Sequence, residues 1–354
     1  MEQQVAPVLA LIVPCYNEES LILSSLQTLY DKLDSLKDQN IIATQSFIIC
    51  IDDGSTDQSP VILQDFAHHH PFCTLIKLAK NYGHQNALLA GLKYAHKRCD
   101  CCISIDGDLQ QDIDKIPEFI AKYSQGAQIV LGIRNDRKTD GFFKKWSAYG
   151  FYTMMQLLGT PTIKNHADYR LLGSKALERL MVFKESNLFL RGLILELGAQ
   201  VESVYFDVKP RTAGESKYSL KKMLALAING ITSFSIRPLH CISIGGGIVF
   251  FVSFLLGVYS FYIALFTDQA LPGWASIALP LYFLGGIQLL ALGVIGEYIG
   301  KIYAETKQRP PYLIDSITAS NSQRPLSLLQ NIPNTKDTQN IKDTQNTKDT
   351  HASK

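Results

Sequence analysis

Through the first 135 residues, short apolar runs alternate with amphipathic stretches, and most of the runs end in a polar loop. Val8 to Val13 is apolar and closed by Pro14, which predicts a first strand and then the loop Pro14-Cys15-Tyr16-Asn17-Glu18-Glu19. A helix is expected from about Ser20 to Leu36, capped by Asn17 or Ser20. Phe47 to Ile51 reads as a second strand ending in Asp52-Asp53-Gly54-Ser55-Thr56-Asp57, with a helix over about Pro60 to His69. Thr74 to Leu78 is the third strand; Lys80-Asn81-Tyr82-Gly83 and a helix to about Lys97 follow. The fourth, Ile103 to Ile105, delivers Asp106-Gly107-Asp108-Leu109-Gln110. A helix near Ile116 to Tyr123 and a strand Ile129 to Gly132 complete the series. Strands alternating with helices predict βαβ units, hence an α/β fold with a mostly parallel sheet.

Beyond Arg134 the pattern is less regular. Phe142 to Leu158 is aromatic-rich and reads as helical, and His166-Ala167-Asp168-Tyr169-Arg170 is a polar cluster before an expected helix, Leu171 to Val182. Asn187 to Gly192 reads as a loop into another helix, and Val201 to Val208 as a strand. Tyr218 to Ile236 sets Lys221 and Lys222 beside Met223, Leu224, Leu226, Ile228 and Ile231, the pattern of a helix in a membrane interface or of an ordinary surface helix. Leu239 to Phe266 and Ala270 to Gly296 each lack Asp, Glu, Lys and Arg, and a span needs about 20 apolar residues. Arg237 on one side and Lys301, Lys307 and Arg309 on the other set both ends of this hairpin in the cytosol, with Asp268 in the outer turn. After Pro310-Pro311 periodicity is lost. From Asn334 an Asn-x-Lys-Asp-Thr-Gln unit recurs, and disorder is expected from about residue 316.

The expected organisation is a catalytic domain over residues 1–217, an interface helix over 218–237, a membrane hairpin over 238–304 (spans near 239–266 and 275–297) and a cytosolic tail over 305–354. Composition agrees with a partly membrane-embedded chain: 46% of its 354 residues are hydrophobic and 19% charged. A formal net charge of +2 gives no reason to expect nucleic acid as a partner. Seven cysteines without framework spacing argue for reduced, cytosol-facing thiols, and Cys99-Asp100-Cys101-Cys102 lacks the second ligand pair of a zinc site. No basic segment followed by an apolar one at the N-terminus suggests a cleavable signal.

In a parallel sheet the strand ends carrying Tyr16/Glu18, Asp52/Asp53 and Asp106/Asp108 lie on one edge, where open α/β sheets bind ligands. Gly107 is expected to let the chain turn tightly so that Asp106 and Asp108 converge; with the Gln110 amide they form an oxygen donor set suited to Mg2+ or Mn2+, or else a plain polar turn. The chain has neither G-x-G-x-x-G after its first strand nor a P-loop, which disfavours dinucleotide and P-loop readings. Asp168 reads as a helix cap or a catalyst. Arg211, Glu215 and Lys217 around Gly214 read as an anion-binding loop or a solvated face. Glycines Gly245-Gly246-Gly247, Gly285-Gly286 and Gly293 permit close helix contact, and with it a homo-oligomer, or are tolerated flexibility.

Pro14-Cys15-Tyr16-Asn17-Glu18, Asp52 to Asp57, Lys80 to Gly83, Asp106 to Gln110 and Ala167 to Arg170 stand in an order that resembles the polyisoprenyl-phosphate glycosyltransferases of glycosyltransferase family 2, which have the Rossmann-like GT-A fold. Gly296-Glu297-Tyr298-Ile299-Gly300-Lys301-Ile302-Tyr303 after the spans is most similar to the bactoprenol glucosyltransferase branch, beside the dolichyl-phosphate mannose synthases. The resemblance covers about Val8 to Leu313, with departures at Cys15 and at His84, where a lysine is common.

The resemblance implies a metal-dependent transfer from a nucleotide-diphospho-sugar, UDP-glucose above all, to polyprenyl phosphate, with mannose or an aminoarabinose derivative as alternative sugars. It implies that Pro14, Tyr16, Glu18 and Asp53, with Asp52, Lys80, Asp106 and Arg134, hold the nucleotide sugar. Asp106, Asp108 and Gln110 are the implied metal group. Arg134, Arg211 and Lys217 are candidates for positioning the acceptor phosphate, and Asp168 for orienting it or acting as a weak base. Asp108, Asp168, Arg211 and Lys217 are the expected catalytic set, and single displacement with inversion is the expected course. A lipid chain leaves the bilayer at about 0.8 kcal/mol per CH2, so the hairpin would bring the site to the cytoplasmic membrane instead. A processive polysaccharide synthase would carry Gln-x-x-Arg-Trp, which is absent. A non-catalytic membrane scaffold with the same fold is the remaining alternative.

Overall fold

The computed structural model describes residues 5–135, 163, 166–183, 185, 190–208, 232, 235–266 and 274–319. Strand β1 (Leu9–Cys15) is buried at every position, as its unbroken apolar run requires of a strand covered on both faces. Helix α1 (Ile22–Asp38), β2 (Phe47–Asp52), α2 (Ser59–His69), β3 (Cys73–Leu78), α3 (His84–Ala95) and β4 (Cys101–Ser104) follow. Then come α4 (Ile116–Ser124), β5 (Ile129–Arg134), β6 (His166–Gly173), α5 (Ser174–Val182), a short α6 (Leu190–Leu193) and β7 (Val201–Phe206). Two long helices, α7 (Arg237–Phe266) and α8 (Trp274–Thr306), precede a last strand, β8 (Ile314–Ala319).

The eight strands among the described residues form one sheet in the order β7-β5-β6-β4-β1-β2-β3-β8. β4, β1, β2 and β3 are parallel neighbours, as are β5 and β7, while β6 and β8 run against their neighbours. Alternation along β1 separates two cores. Leu9, Leu11 and Val13 meet α1, α2 and α4 through Leu26, Leu29, Phe66 and Phe119. Ala10 and Ile12 face α3, α5 and α6 through Leu88, Leu92, Leu177 and Leu193.

Three expectations change. The helix expected from Leu171 begins at Ser174, because His166 to Gly173 is a strand with Ala167, Tyr169 and Leu171 on one face and His166, Asp168, Arg170 and Leu172 on the other. Neither Asn17 nor Ser20 caps α1. Asn17 sits at φ 53° and its side chain accepts the Thr56 N–H at 2.9 Å, while the Glu18 carbonyl receives the Leu21 and Ile22 N–H groups. The tail is structured to Ala319, since Ile314 to Ala319 pairs antiparallel with β3. The expected helix at Phe142 to Leu158, the loop holding Arg211 and Lys217, and nearly all of the interface helix lie outside the described residues.

Helices α7 and α8 carry exposed large apolar side chains, among them Ile244, Phe251, Leu281 and Leu289. Phe283 to Thr306 is long and apolar enough to cross a membrane. The Tyr298 hydroxyl donates to the Ser235 carbonyl at 2.6 Å, which brings the C-terminal part of α8 beside the start of α7.

Candidate active site

The loops after β1, β2 and β3 are joined into one rim. Asp53, which is buried, accepts the Tyr82 N–H on one carboxylate oxygen at 2.7 Å and the Gly83 N–H on the other at 2.9 Å. Burial pushes the Asp53 carboxyl above its ordinary pKa, and the two N–H donors offset only part of this. Gly54 is obligatory: its φ is 68°, and a Cβ there would lie 2.3 Å from the Lys80 carbonyl carbon. The neighbouring Asp52 is fully buried, receives the Ser55 N–H at 3.1 Å, and keeps its other oxygen without a protein partner. The β1 loop is stitched on by Asn17 N–H to Ser55 Oγ at 3.0 Å and Glu18 N–H to Ser59 Oγ at 2.9 Å. Pro14 closes β1, and Tyr16 just beyond it is 39% exposed, a ring open to stacking. Lys80 is exposed, with its Nζ 5.3 Å from the Tyr82 ring.

At the end of β4 both oxygens of Asp106 are engaged, one by His84 Nε2 at 3.1 Å and one by the buried Gln111 amide. Burial lowers the His84 pKa, but the hydrogen bond and charge of Asp106 outweigh it, and the imidazole titrates above its ordinary value. The Asp108 carboxylate accepts the Gln110 N–H at 3.2 Å. Gly107 does not make this turn. A Cβ there would meet Ile22 at 3.4 Å and Cys15 at 3.6 Å, ordinary contacts, and the left-handed residue is Leu109 at φ 47°.

The antiparallel strand β6 reaches the same edge from the other side. Ser104 is opposite Arg170, and its hydroxyl donates to the Asp168 carbonyl at 2.6 Å, which places Asp168 at the end of β4. Asp168 accepts from Arg170 Nη2 and, bidentately, from Arg191 Nε at 3.2 Å and Nη2 at 2.8 Å. Burial alone would raise the Asp168 carboxyl. Arg191 and Arg170 outweigh it and hold the carboxyl well below the usual range. Arg170 is itself buried, with Nε and Nη1 unpartnered. His166 beside it is pushed down to about 3 by burial and by the Arg170 charge. Arg134 ends β5 at this edge, exposed.

Of the expected residues, Pro14, Tyr16, Glu18, Asp52, Asp53, Lys80, Asp106, Asp108, Gln110, Arg134 and Asp168 therefore stand along one edge; Arg211 and Lys217 lie outside the described residues. The sequence reading missed Gln111 and Arg191. Arg191 leaves one signal, a lone arginine within the apolar run Leu188 to Leu195. Among the described residues no three His, Cys, Asp or Glu side chains are grouped to hold a metal ion. Asp106, Asp108 and Gln110 nevertheless offer hard oxygen donors on one turn, and Asp106 is 34% exposed. That fits a divalent cation whose shell is completed by a ligand's phosphates rather than by the protein.

The model of the glycosyl transferase family 2 domain matches residues 10–181. The uncharacterized glycosyltransferase YkoT of Bacillus subtilis is 46% identical over 88% of this chain and 93% of that protein. The chain belongs to glycosyltransferase family 2. The bactoprenol glucosyl transferase of Shigella phage SfX is 38% identical over 87% of this chain and 99% of its own length. Among solved structures, the mannosyltransferase PcManGT of Pyrobaculum calidifontis, in complex with GDP-Man and Mn2+, aligns with a TM-score of 0.46 and 16% identity over 83% of this chain and 87% of that one. The mostly parallel sheet is the GT-A sheet of that family, and the candidate residues stand along the C-terminal edge of its strands.

Proposed function

We propose that this family 2 enzyme transfers glucose from UDP-glucose to polyprenyl phosphate, with inversion at the sugar carbon. The observation that carries the reading is the shared edge: the rim locked by Asp53 is joined through His84 to Asp106 of the Asp106–Asp108 turn, in a chain similar over most of its length to proteins named bactoprenol glucosyl transferase. Tyr16, Asp53 and Lys80 suit a nucleotide, the first by its open ring, the second by fixing the loop, the third by its charge.

Asp106, Asp108 and Gln110 would hold Mg2+ or Mn2+, which when bound neutralises charge on the departing nucleoside diphosphate. The acceptor phosphate is already ionised, so the protein has to position it rather than deprotonate it. Arg134, Arg211 and Lys217 are assigned to that work. Asp168 is assigned no base role, because a carboxylate clamped by two guanidinium groups is a poor proton acceptor near neutral pH. Its role is to orient Arg170 and Arg191 beside the site.

Helices α7 and α8 are read as a membrane hairpin with both ends in the cytosol, so that the site serves a lipid acceptor at the cytoplasmic membrane. Their exposed apolar side chains and the Tyr298–Ser235 bond support this arrangement. The test is transfer by protein in detergent given a short-chain polyprenyl phosphate, Mg2+ or Mn2+, and a panel of labelled nucleotide sugars. Lipid-linked glucose from UDP-glucose, lost with EDTA and in Asp108→Ala, is the expected result. Product from another donor would replace the sugar. No product from any donor, with folded protein and metal present, would favour the scaffold reading.

A further inference from the structure

The connection between α8 and β8 is short and stiff. Helix α8 ends at Thr306, and Gln308 closes it at φ 47°, its N–H on the Glu305 carbonyl at 3.0 Å. Pro310-Pro311 follows, and two consecutive prolines hold the chain extended. Residues 307–313 can span no more than about 25 Å. A linker meant to let a domain roam would be rich in glycine and serine instead.

The far end is fixed to two elements. Tyr312 lies with its ring centroid 5.5 Å from Lys93 Nζ on α3. The Leu313 carbonyl accepts the Ala79 N–H at 2.9 Å, and β8 pairs along β3 from Leu78 opposite Ile314 to Thr74 opposite Ala319. Asp315 and Lys77 form an ion pair at 3.3 Å. β8 fills little of the core, since Ile314 and Ile317 stay 43% and 41% exposed. Its contribution is the ladder, and the ladder lies where it matters. β3 and α3 flank the loop Lys80 to Gly83, whose N–H groups hold Asp53, and His84 at the start of α3 holds Asp106.

We propose that residues 309–319 are a fixed-length strap that sets the donor-binding rim at a defined height above the end of α8. The strap acts by position: it makes the phosphate of a membrane-borne acceptor and the donor loops meet at one distance. This inference rests on the membrane and polyprenyl-phosphate reading given above.

The experiment uses the full chain with a six-residue Gly-Ser insertion between Gln308 and Arg309, which leaves β8 free to pair while lengthening the tether. Transfer from UDP-glucose is measured with long-chain polyprenyl phosphate in phospholipid vesicles and with a short-chain acceptor in detergent. The strap predicts a loss of at least about tenfold in vesicles, because a loosened tether dilutes the site over many heights, with the detergent rate held within about twofold. Equal rates in wild type and insertion variant in vesicles would overturn it, as would an equal loss in both systems, which marks a purely structural role. Should the insertion variant fail to fold, Pro310→Gly/Pro311→Gly keeps the length, removes the stiffness and is judged by the same split. Wild-type protein making no lipid-linked sugar in either system would instead refute the functional reading on which the strap depends.

Discussion

Asp53 is the residue on which the rim depends. Each of its oxygens meets a backbone N–H of the next loop, so Asp53→Asn must turn an amide NH2 toward one of those donors. Leaving a buried N–H without an acceptor costs about 1–3 kcal/mol. The variant should show a lower unfolding midpoint in urea and weaker binding of UDP in equilibrium dialysis; unchanged values for both would remove Asp53 from the loop junction. His166 gives the pH counterpart. Its imidazole titrates in the unfolded chain near 6.5 but in the folded protein only at about 3. The unfolded state therefore holds the extra proton between these values, and stability falls as pH drops from 6.5 toward 3. The slope due to one group is about 1.4 kcal/mol per pH unit. Asp168 adds to the acid limb from about pH 4 downward, where the unfolded chain's carboxyl takes up a proton that the depressed folded carboxyl does not. His166→Gln should flatten the decline between pH 6.5 and 4.5 in urea titrations, whereas a parallel decline would mean that His166 is not held neutral.

Elements were legible where one kind of residue occupied them throughout. β1 and β2 are apolar runs closed by Pro14-Cys15 and Asp52, and β3, ending at Leu78, is interrupted only by Thr74 and Lys77, so pattern and position agree. β6 reads in the sequence as a polar cluster before a helix because its α3-side face carries His166, Asp168 and Arg170. His166 and Arg170 are buried, and Asp168 partly so, because β4 and β5 flank them and Arg191 arrives from α6 to balance the charge. Neither partner is near in sequence, so no local pattern announces them. β8 is illegible for a related reason: Ile314 to Ala319 is half polar and mostly exposed, and β3 alone makes it a strand. The same dependence on a neighbouring element predicts the effect of Gly54→Ala. The left-handed backbone costs an alanine about 1–2 kcal/mol, and its Cβ would collide with the Lys80 backbone. Gly54→Ala should keep the circular dichroism of the sheet yet raise the KM for the donor at least about tenfold. A KM unchanged from wild type would show that the two loops bind the donor independently.

At the scale of the whole molecule, the sheet and the long helices make opposite demands on solvent, and the cysteines provide a way to read their arrangement. Cys15, Cys50, Cys73, Cys99, Cys101 and Cys102 are buried in or beside the sheet, without disulfides, while Cys241 near the start of α7 is exposed. Burial pushes the Cys99 thiol up to about 12, and Cys15, Cys101 and Cys102 well above the usual range, so none of these presents a thiolate to a maleimide at neutral pH. In a Cys241→Ser background the folded chain is therefore nearly silent, and an added cysteine reports its own side of the membrane. The charges flanking the apolar segments, Arg237 before and Lys301, Lys307 and Arg309 after, are all on the ends expected in the cytosol. Asp268→Cys should then react with a membrane-impermeant maleimide in right-side-out vesicles, and Ser353→Cys only after the vesicles are opened. If Asp268→Cys is protected in right-side-out vesicles and labelled in inside-out ones, the hairpin does not cross, the helices lie on one face of the bilayer, and the acceptor must be reached without a transmembrane anchor.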